Sequence, residues 1–285
     1  MKTPHYPLIH ANIAVLLFSS AALIGHVAAL PAEIMVWGRT GFASLMLVVF
    51  MRSMAPRLKS CSIHSWRDLT LSGALLCIHW YCFFASVRFG SIAIGLITFA
   101  CFPVFIIAFD RLIQRQSIPP SDIATAVGII IGIIIMVPHS FDGPWLGWGL
   151  GFLSSVLFAG LTLMNKQLVK AIHPLDIAWV QNTVACFILS LGFITLDDIQ
   201  AINTTQWMWL IVCGIICTAI AHTILVRAMQ SLSALATGFI VSLEPVYGMA
   251  LATILLNEPL IAQQIIGGAI VVGAVLIGVA TQGHL

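Results

Sequence analysis

Two charged residues lie inside long apolar stretches of the sequence, where they could do chemistry. Glu244 lies near the middle of the stretch 233–256, about 16 Å from its start if the stretch is helical, and Arg39 lies in the stretch 33–52. A carboxylate there could bind a substrate ammonium or take up a proton, and a guanidinium could grip a substrate carboxylate. The structural alternative is a buried ion pair between the two residues.

Three histidines in apolar stretches could transfer protons, because histidine titrates near neutral pH. They are His26, His79 and His222, and we take His26, His222 and Glu244 as candidates for proton coupling. Separately hydrogen-bonded polar side chains are the alternative. A membrane-embedded enzyme or a haem protein that uses these histidines remains a second interpretation, although the sequence has no HExxH, GxSxG or metal-ligand spacing. We predict no metal site, no cofactor and no catalytic residue.

Amide and aromatic side chains are further candidates for lining a substrate cavity. Gln181 and Asn182 lie within an apolar stretch, where each amide must find a hydrogen-bond partner. To these we add three aromatic residues and one histidine, namely Trp80, Phe102, Tyr247 and His79. Pro103 and Pro245 each remove a backbone donor from the middle of a stretch, which predicts two points at which helices flex.

The composition requires a non-aqueous environment around these residues. Of the 285 residues, 60% are hydrophobic and only 8% are charged. Soluble domains carry about 25% charged residues. In lipid every backbone polar group must be satisfied internally, and apolar runs such as 123–137 are too long for barrel strands, so they predict helices. The net charge of +2 gives no information on nucleic acid, but the sequence has no basic stripe and no basic tail, and we expect no nucleic-acid partner.

Apolar stretches of membrane-spanning length occur ten times in the sequence, which predicts an all-α membrane protein of ten transmembrane helices. The predicted extents are 9–29, 33–52, 68–87, 91–111, 122–138, 146–165, 176–196, 206–226, 233–256 and 260–280. With both termini in the cytoplasm, ten of the twelve Lys and Arg residues lie on the cytoplasmic side. We interpret Asn165 and Lys166, at the cytoplasmic end of the sixth helix, as a topology determinant.

The sequence also repeats itself. Ser91 to Pro103 is similar to Ser233 to Pro245, and Pro31-Ala-Glu33 is similar to Pro174-Leu-Asp176, which places Arg39 opposite Asn182. We therefore predict two five-helix repeats, residues 1–140 and 141–285. Because five is odd, the second repeat enters the membrane inverted, an arrangement typical of secondary transporters whose site lies between the repeats.

The second repeat is similar to a known family. The run Arg227-Ala-Met-Gln-Ser-Leu-Ser-Ala, the segment Leu243-Glu-Pro-Val246 and the segment Leu256-Asn-Glu-Pro259 resemble the drug/metabolite transporter superfamily, specifically its ten-helix EamA-type exporters. Arg39 also matches an arginine that this family commonly carries early in its second helix. The resemblance implies a bacterial inner-membrane transporter, often an exporter of amino acids or related metabolites.

We therefore expect a multi-pass inner-membrane protein that exports small metabolites, such as amino acids or related compounds, by alternating access. The expected partners are a small-molecule substrate and membrane lipid. The sequence is also compatible with a homodimer. A channel is a further alternative, because channels also use repeats. The substrate, the direction of transport and the coupling ion are not determined by the sequence.

Overall fold

The computed structural model describes residues 6–53, 63–115, 117–137, 144–256 and 259–283, and every regular element within these ranges is helical. In chain order the elements are α1 (Tyr6–Ala28), α2 (Ala32–Ser53), α3 (Ile63–Phe89), α4 (Ile92–Phe99), α5 (Phe102–Gln114), α6 (Pro120–Met136), α7 (Trp145–Leu168), α8 (Pro174–Ser190), α9 (Leu196–Gln200), α10 (Thr204–Gly214), a π-helical segment (Ile215–Ile220), α11 (Ala221–Ala228), α12 (Ala234–Val241), α13 (Glu244–Leu256) and α14 (Ala262–Thr281).

Five single helices, and three stretches that each combine consecutive helical elements, have the length and composition of membrane spans among the described residues. Within the described residues, eight helical stretches are long and apolar enough to cross a bilayer, and α6 is a shorter apolar helix. The predicted class of an all-helical, multi-pass membrane protein is therefore confirmed. The predicted extents differ from the observed helices by a few residues at most ends, since helix ends depend on capping contacts as well as on hydropathy.

Two of the predicted spans are interrupted at equivalent positions. The predicted helix 91–111 is divided into α4 and α5 at residues 100–101, and the predicted helix 233–256 is divided into α12 and α13 at residues 242–243. Pro103 and Pro245 lie in the first turn after each interruption, where a missing backbone N–H is tolerated. That the chain flexes at these breaks stays a prediction.

The starts of the two interrupted spans are also alike. Ser91 caps α4 by accepting a hydrogen bond from the Ile94 backbone N–H at 3.1 Å. Ser233 caps α12 by accepting one from the Ala236 backbone N–H at 3.0 Å. These two serines begin the similar stretches of sequence, so a hydroxyl at the N-cap explains why the pattern starts with serine in both.

A π-helical segment lies in the span formed by α10 and α11. Thr218, within this segment, donates its hydroxyl hydrogen to the carbonyl of Cys213, five residues earlier, at 2.8 Å. Such π-turns are rare and often occur at functional sites. This one places Thr218 beside α2, as described below for the cavity.

The two halves of the chain are closely interleaved. α3 packs along both α7 and α8, and α1 packs against α11 and α13. α6 and α14 approach each other through glycine, since a Cβ added to Gly267 would lie 2.5 Å from the Gly132 carbonyl oxygen. The interior between the halves is therefore bounded by helices from both, and the candidate site lies there.

Candidate functional site

A cavity of about 60 Å³ lies between the two halves of the chain and has room for roughly four water molecules. Its polar lining consists of Arg39, His79, Thr162, Asn165, His222 and Glu244. Its aromatic lining consists of Phe18, Trp80, Phe83, Phe84, Phe99 and Phe158. The helices that contribute these side chains come from both halves, so any movement of one half against the other changes the cavity.

Arg39 is held in place by three neighbours. Its Nε donates to the Thr218 hydroxyl at 2.9 Å, and its Nη2 donates to the Cys217 carbonyl at 3.4 Å. Its guanidinium lies over the Trp80 ring, 4.2 Å from the ring centre, in a cation–π contact. Within the described residues no carboxylate lies within 4 Å of Arg39, and Nη1 has no hydrogen-bond partner. The cation is therefore positioned but not neutralised.

Glu244 is the first residue of α13, immediately after the break in its span. Its backbone carbonyl accepts a hydrogen bond from the Ser19 hydroxyl at 2.8 Å, which ties the break to α1. No described residue makes an ion pair or a hydrogen bond with its carboxylate, and Arg39 is not within ion-pair distance. The N-terminal end of α13 favours a negative charge at this position. A carboxylate without a protein partner thus lines the same cavity as the arginine.

His79 is fixed by α7 and by aromatic rings. Its Nδ1 lies 3.1 Å from the Ser154 carbonyl oxygen and 2.9 Å from the Ser154 hydroxyl. The ring stacks on Phe99 and packs against Phe158, with centroids 5.5 and 4.8 Å apart. His79 is thus one face of an aromatic wall, and its Nε2 is left for the cavity.

A buried amide network lies behind Asn165 and His222 of the cavity lining. Gln181 is fully buried, and its Nε2 donates to the Ser72 hydroxyl at 2.8 Å and to Asn165 Oδ1 at 2.6 Å. The Gln181 Oε1 lies 2.7 Å from His222 Nε2. Gln181 therefore does not line the cavity but contacts two residues that do, Asn165 and His222.

Four other predicted residues lie outside the cavity lining. Asn182 is fully buried and donates to the Ala178 carbonyl at 2.8 Å, while its Oδ1 has no partner in the described part of the chain. Phe102 packs behind the cavity, with its ring centroid 4.9 Å from that of Phe99. Tyr247 donates its hydroxyl hydrogen to Asn12 at 2.6 Å. Pro103 lies in the first turn of α5.

Two predicted residues remain, Pro245 and His26. Pro245 follows Glu244 in the first turn of α13. His26 belongs to α1, but its side chain lies outside the described part of the structure. The cavity thus brings together Glu244, Arg39, His79, Trp80 and His222 from the predicted set.

The sequence interpretation did not select Asn165 or Thr218. Asn165 lies close to the end of α7, so it was interpreted as a topology determinant beside Lys166, yet it lines the cavity. Thr218 was not considered, although it is one of the few polar residues of the run 210–221. A polar residue in an otherwise apolar span is the signal that would have selected it.

The cavity lining contains one residue of each charge. An anionic group can pair with the Arg39 guanidinium and a cationic group with the Glu244 carboxylate, while the aromatic wall contacts an apolar part. Among the described residues, no group of three or more His, Cys, Asp or Glu residues could hold a metal ion.

Comparison with known proteins adds a family and a fold. The model of the EamA-like transporter family matches residues 6–137 and again residues 145–279. Among solved structures 29 chains match, and one described only as a crystal structure of a protein has a TM-score of 0.79 and 14% identity, with 99% of each chain covered. At that identity the likeness shows a shared fold alone. No curated protein matches the sequence.

Proposed function

Because the chain belongs to the EamA-like transporter family, we propose that it exports small zwitterionic metabolites, amino acids among them, across the bacterial inner membrane. The resemblance to the EamA-type branch of the drug/metabolite transporter superfamily is confirmed, so the protein is a membrane transporter of that type. The class of substrate, the direction of transport and the inner-membrane location are the proposal.

One observation carries the choice of substrate. Arg39 and Glu244 line the same cavity, and within the described residues neither forms an ion pair within 4 Å. A buried charge without a partner is costly, so each becomes more stable when a substrate group of opposite charge binds. A substrate with one carboxylate and one ammonium satisfies both residues at once.

The architecture that we propose has ten spans in two inverted repeats, residues 1–140 and 141–285, with both termini in the cytoplasm. Support comes from the two stretches that match the same family model and from the equivalent breaks at residues 100–101 and 242–243. Support for the orientation comes from the bias of Lys and Arg toward one side.

Alternating access is proposed to use these breaks. Each half-helix after a break begins near a proline, Pro103 or Pro245, which cannot donate a backbone hydrogen bond back across the break. Rocking of one half against the other would then close the cavity on one side and open it on the other. Glu244 adjoins the second break, so it would sense both the substrate and the conformation.

Export is tested with cells that express wild-type protein, Glu244→Gln or Glu33→Gln, together with an empty-vector control. Glu33 provides a matched control because the same substitution there changes a partly exposed carboxylate, 3.7 Å from Arg88 and outside the cavity lining. The medium is analysed by mass spectrometry for amino acids and related metabolites.

We expect wild-type and Glu33→Gln cells to release the same zwitterionic compounds and Glu244→Gln cells to release them as the empty-vector cells do. Identical media from all four strains would contradict export of this class. Release of purely anionic or cationic compounds by the wild type would contradict the zwitterionic substrate and leave export standing.

A further inference from the structure

The hydrogen bonds around Gln181 fix the orientation of its amide. Ser72 directs its one hydroxyl hydrogen to the Leu69 carbonyl at 2.8 Å, and in this arrangement its oxygen accepts from Gln181 Nε2 at 2.8 Å. The Gln181 nitrogen therefore faces Ser72, and its oxygen faces His222. Hydrogen positions are assigned from such networks of donors and acceptors. The assignment here starts from the Leu69 backbone carbonyl, which can only accept a hydrogen bond.

This orientation determines what the two neighbours of Gln181 present to the cavity. Asn165 must offer its Oδ1 to the Gln181 nitrogen, which leaves its Nδ2, with two N–H donors, for the cavity that it lines. His222 must donate from Nε2 to the Gln181 oxygen, which leaves Nδ1 for the cavity; in the neutral ring this nitrogen is an acceptor. Neither Asn165 Nδ2 nor His222 Nδ1 has a hydrogen-bond partner in the described part of the chain, so both remain available to a ligand in the cavity that these residues line.

The resulting pair is compact and uncharged. Asn165 and His222 both contact the same terminal amide, at 2.6 and 2.7 Å, so the two side chains lie close together in the cavity lining. Gln181 itself is fully buried and bonded to α3, α7 and α11, so a turn of its amide would require Ser72, Asn165 and His222 all to exchange their donor and acceptor roles.

We propose that Asn165 and His222 form a subsite for a neutral substrate group that both accepts and donates a hydrogen bond, such as a carboxamide, and that Gln181 is the positioning residue that sets this polarity. The carboxamide oxygen accepts from Asn165 Nδ2, and its nitrogen donates to His222 Nδ1. The subsite rests on the proposed function, in which Arg39 and Glu244 hold the two charged groups of the same substrate.

The first measurement determines which ring nitrogen of His222 carries the hydrogen when no substrate is bound. The ¹⁵N spectrum of histidine-labelled wild-type protein in nanodiscs, compared with that of His222→Asn, identifies the ring signals of His222. We expect Nε2 to carry the hydrogen in the wild type, and Gln181→Met, which is similar in size but lacks the amide, to lose this preference. A hydrogen on Nδ1 of neutral His222 in the wild type overturns the proposal.

The second measurement compares the binding of L-glutamine and L-norleucine, which has an apolar side chain of similar length, to the wild type, Gln181→Met and Gln167→Met. Gln167 is exposed on α7 and controls for the substitution itself. We expect the wild type and Gln167→Met to bind glutamine about tenfold more tightly, as two neutral hydrogen bonds of modest net strength would give. We expect Gln181→Met to bind the two compounds about equally.

The outcomes separate the two proposals. Equal binding of glutamine and norleucine by the wild type overturns the subsite and leaves the zwitterionic site intact. Binding of neither compound by the wild type overturns the zwitterionic substrate, and with it the subsite that depends on it. If Gln181→Met does not fold, the wild-type ¹⁵N spectrum and the wild-type preference still decide the outcome.

Discussion

Replacing Glu244 by Gln removes a charge from the cavity with almost no change in shape. Because no described residue pairs with this carboxylate, the substitution leaves no protein donor without a partner. We therefore expect the thermal unfolding temperature of the purified protein to stay the same or rise slightly. The substitution should lower the binding affinity only of ligands that carry a cationic group.

The expected magnitude follows from the bond that is lost. A hydrogen bond to a charged partner contributes about 1.5–3 kcal/mol, which corresponds to roughly a 10- to 150-fold loss of affinity. The upper part of this range is favoured, because the cavity is buried between the two halves and solvent screening is weak there. A ligand without an ammonium should lose nothing, since it makes no such bond.

The assay compares two ligands that differ in one group. Binding of L-norleucine and of its 2-hydroxy acid analogue is measured calorimetrically with wild-type and Glu244→Gln protein in nanodiscs. We expect norleucine to lose affinity by the amount above and the hydroxy acid to keep it. Equal losses for both ligands would mean that Glu244 acts on the cavity as a whole, and no loss for either would remove it from the site.

Three further predictions address other contacts. Thr218→Val removes the acceptor that holds Arg39 Nε at 2.9 Å and should weaken binding of a substrate carboxylate by about 1–2 kcal/mol, whereas Thr218→Ser should bind like the wild type in the same calorimetric assay. Gly267→Ala places a Cβ 2.5 Å from backbone atoms of α6 and should lower the stability by about 1–3 kcal/mol in thermal unfolding, whereas Gly273→Ala meets no atom within 4 Å and should not. Arg88→Gln breaks the partly exposed ion pair with Glu33 at 3.7 Å and should change the free energy of unfolding by less than about 1 kcal/mol. A larger change would contradict the view that this pair contributes little.

Some of the residues that line the cavity could be predicted from the sequence. Charged residues are so rare in the apolar stretches that Glu244 and Arg39 could be selected from residue type alone. The structure places both at one cavity, together with His79, Trp80 and His222. That they bind a substrate stays a prediction, which the experiments above test.

Gln181 and Asn182 show why sequence could not go further. Both are amides at adjacent positions of α8, so the sequence treats them alike, yet Gln181 bonds to Ser72, Asn165 and His222 while Asn182 bonds only to its own helix. Adjacent helical residues point about 100° apart, and which neighbour each meets depends on how α3, α7 and α11 are rotated about their axes. Hydropathy carries no information on that rotation.

Lipid as the solvent, the helical class and the resemblance to the family could all be inferred from the amino-acid sequence. A chain with 8% charged residues and 60% hydrophobic residues must bury its backbone polar groups in helices within lipid, whatever its tertiary contacts. The contact of Thr218 with Arg39 from a π-helical segment and the position of Asn165 at the cavity became visible in the folded structure alone. These contacts join residues far apart in the chain, and their geometry arises from the packing of helices from both halves, which no local pattern of residues specifies.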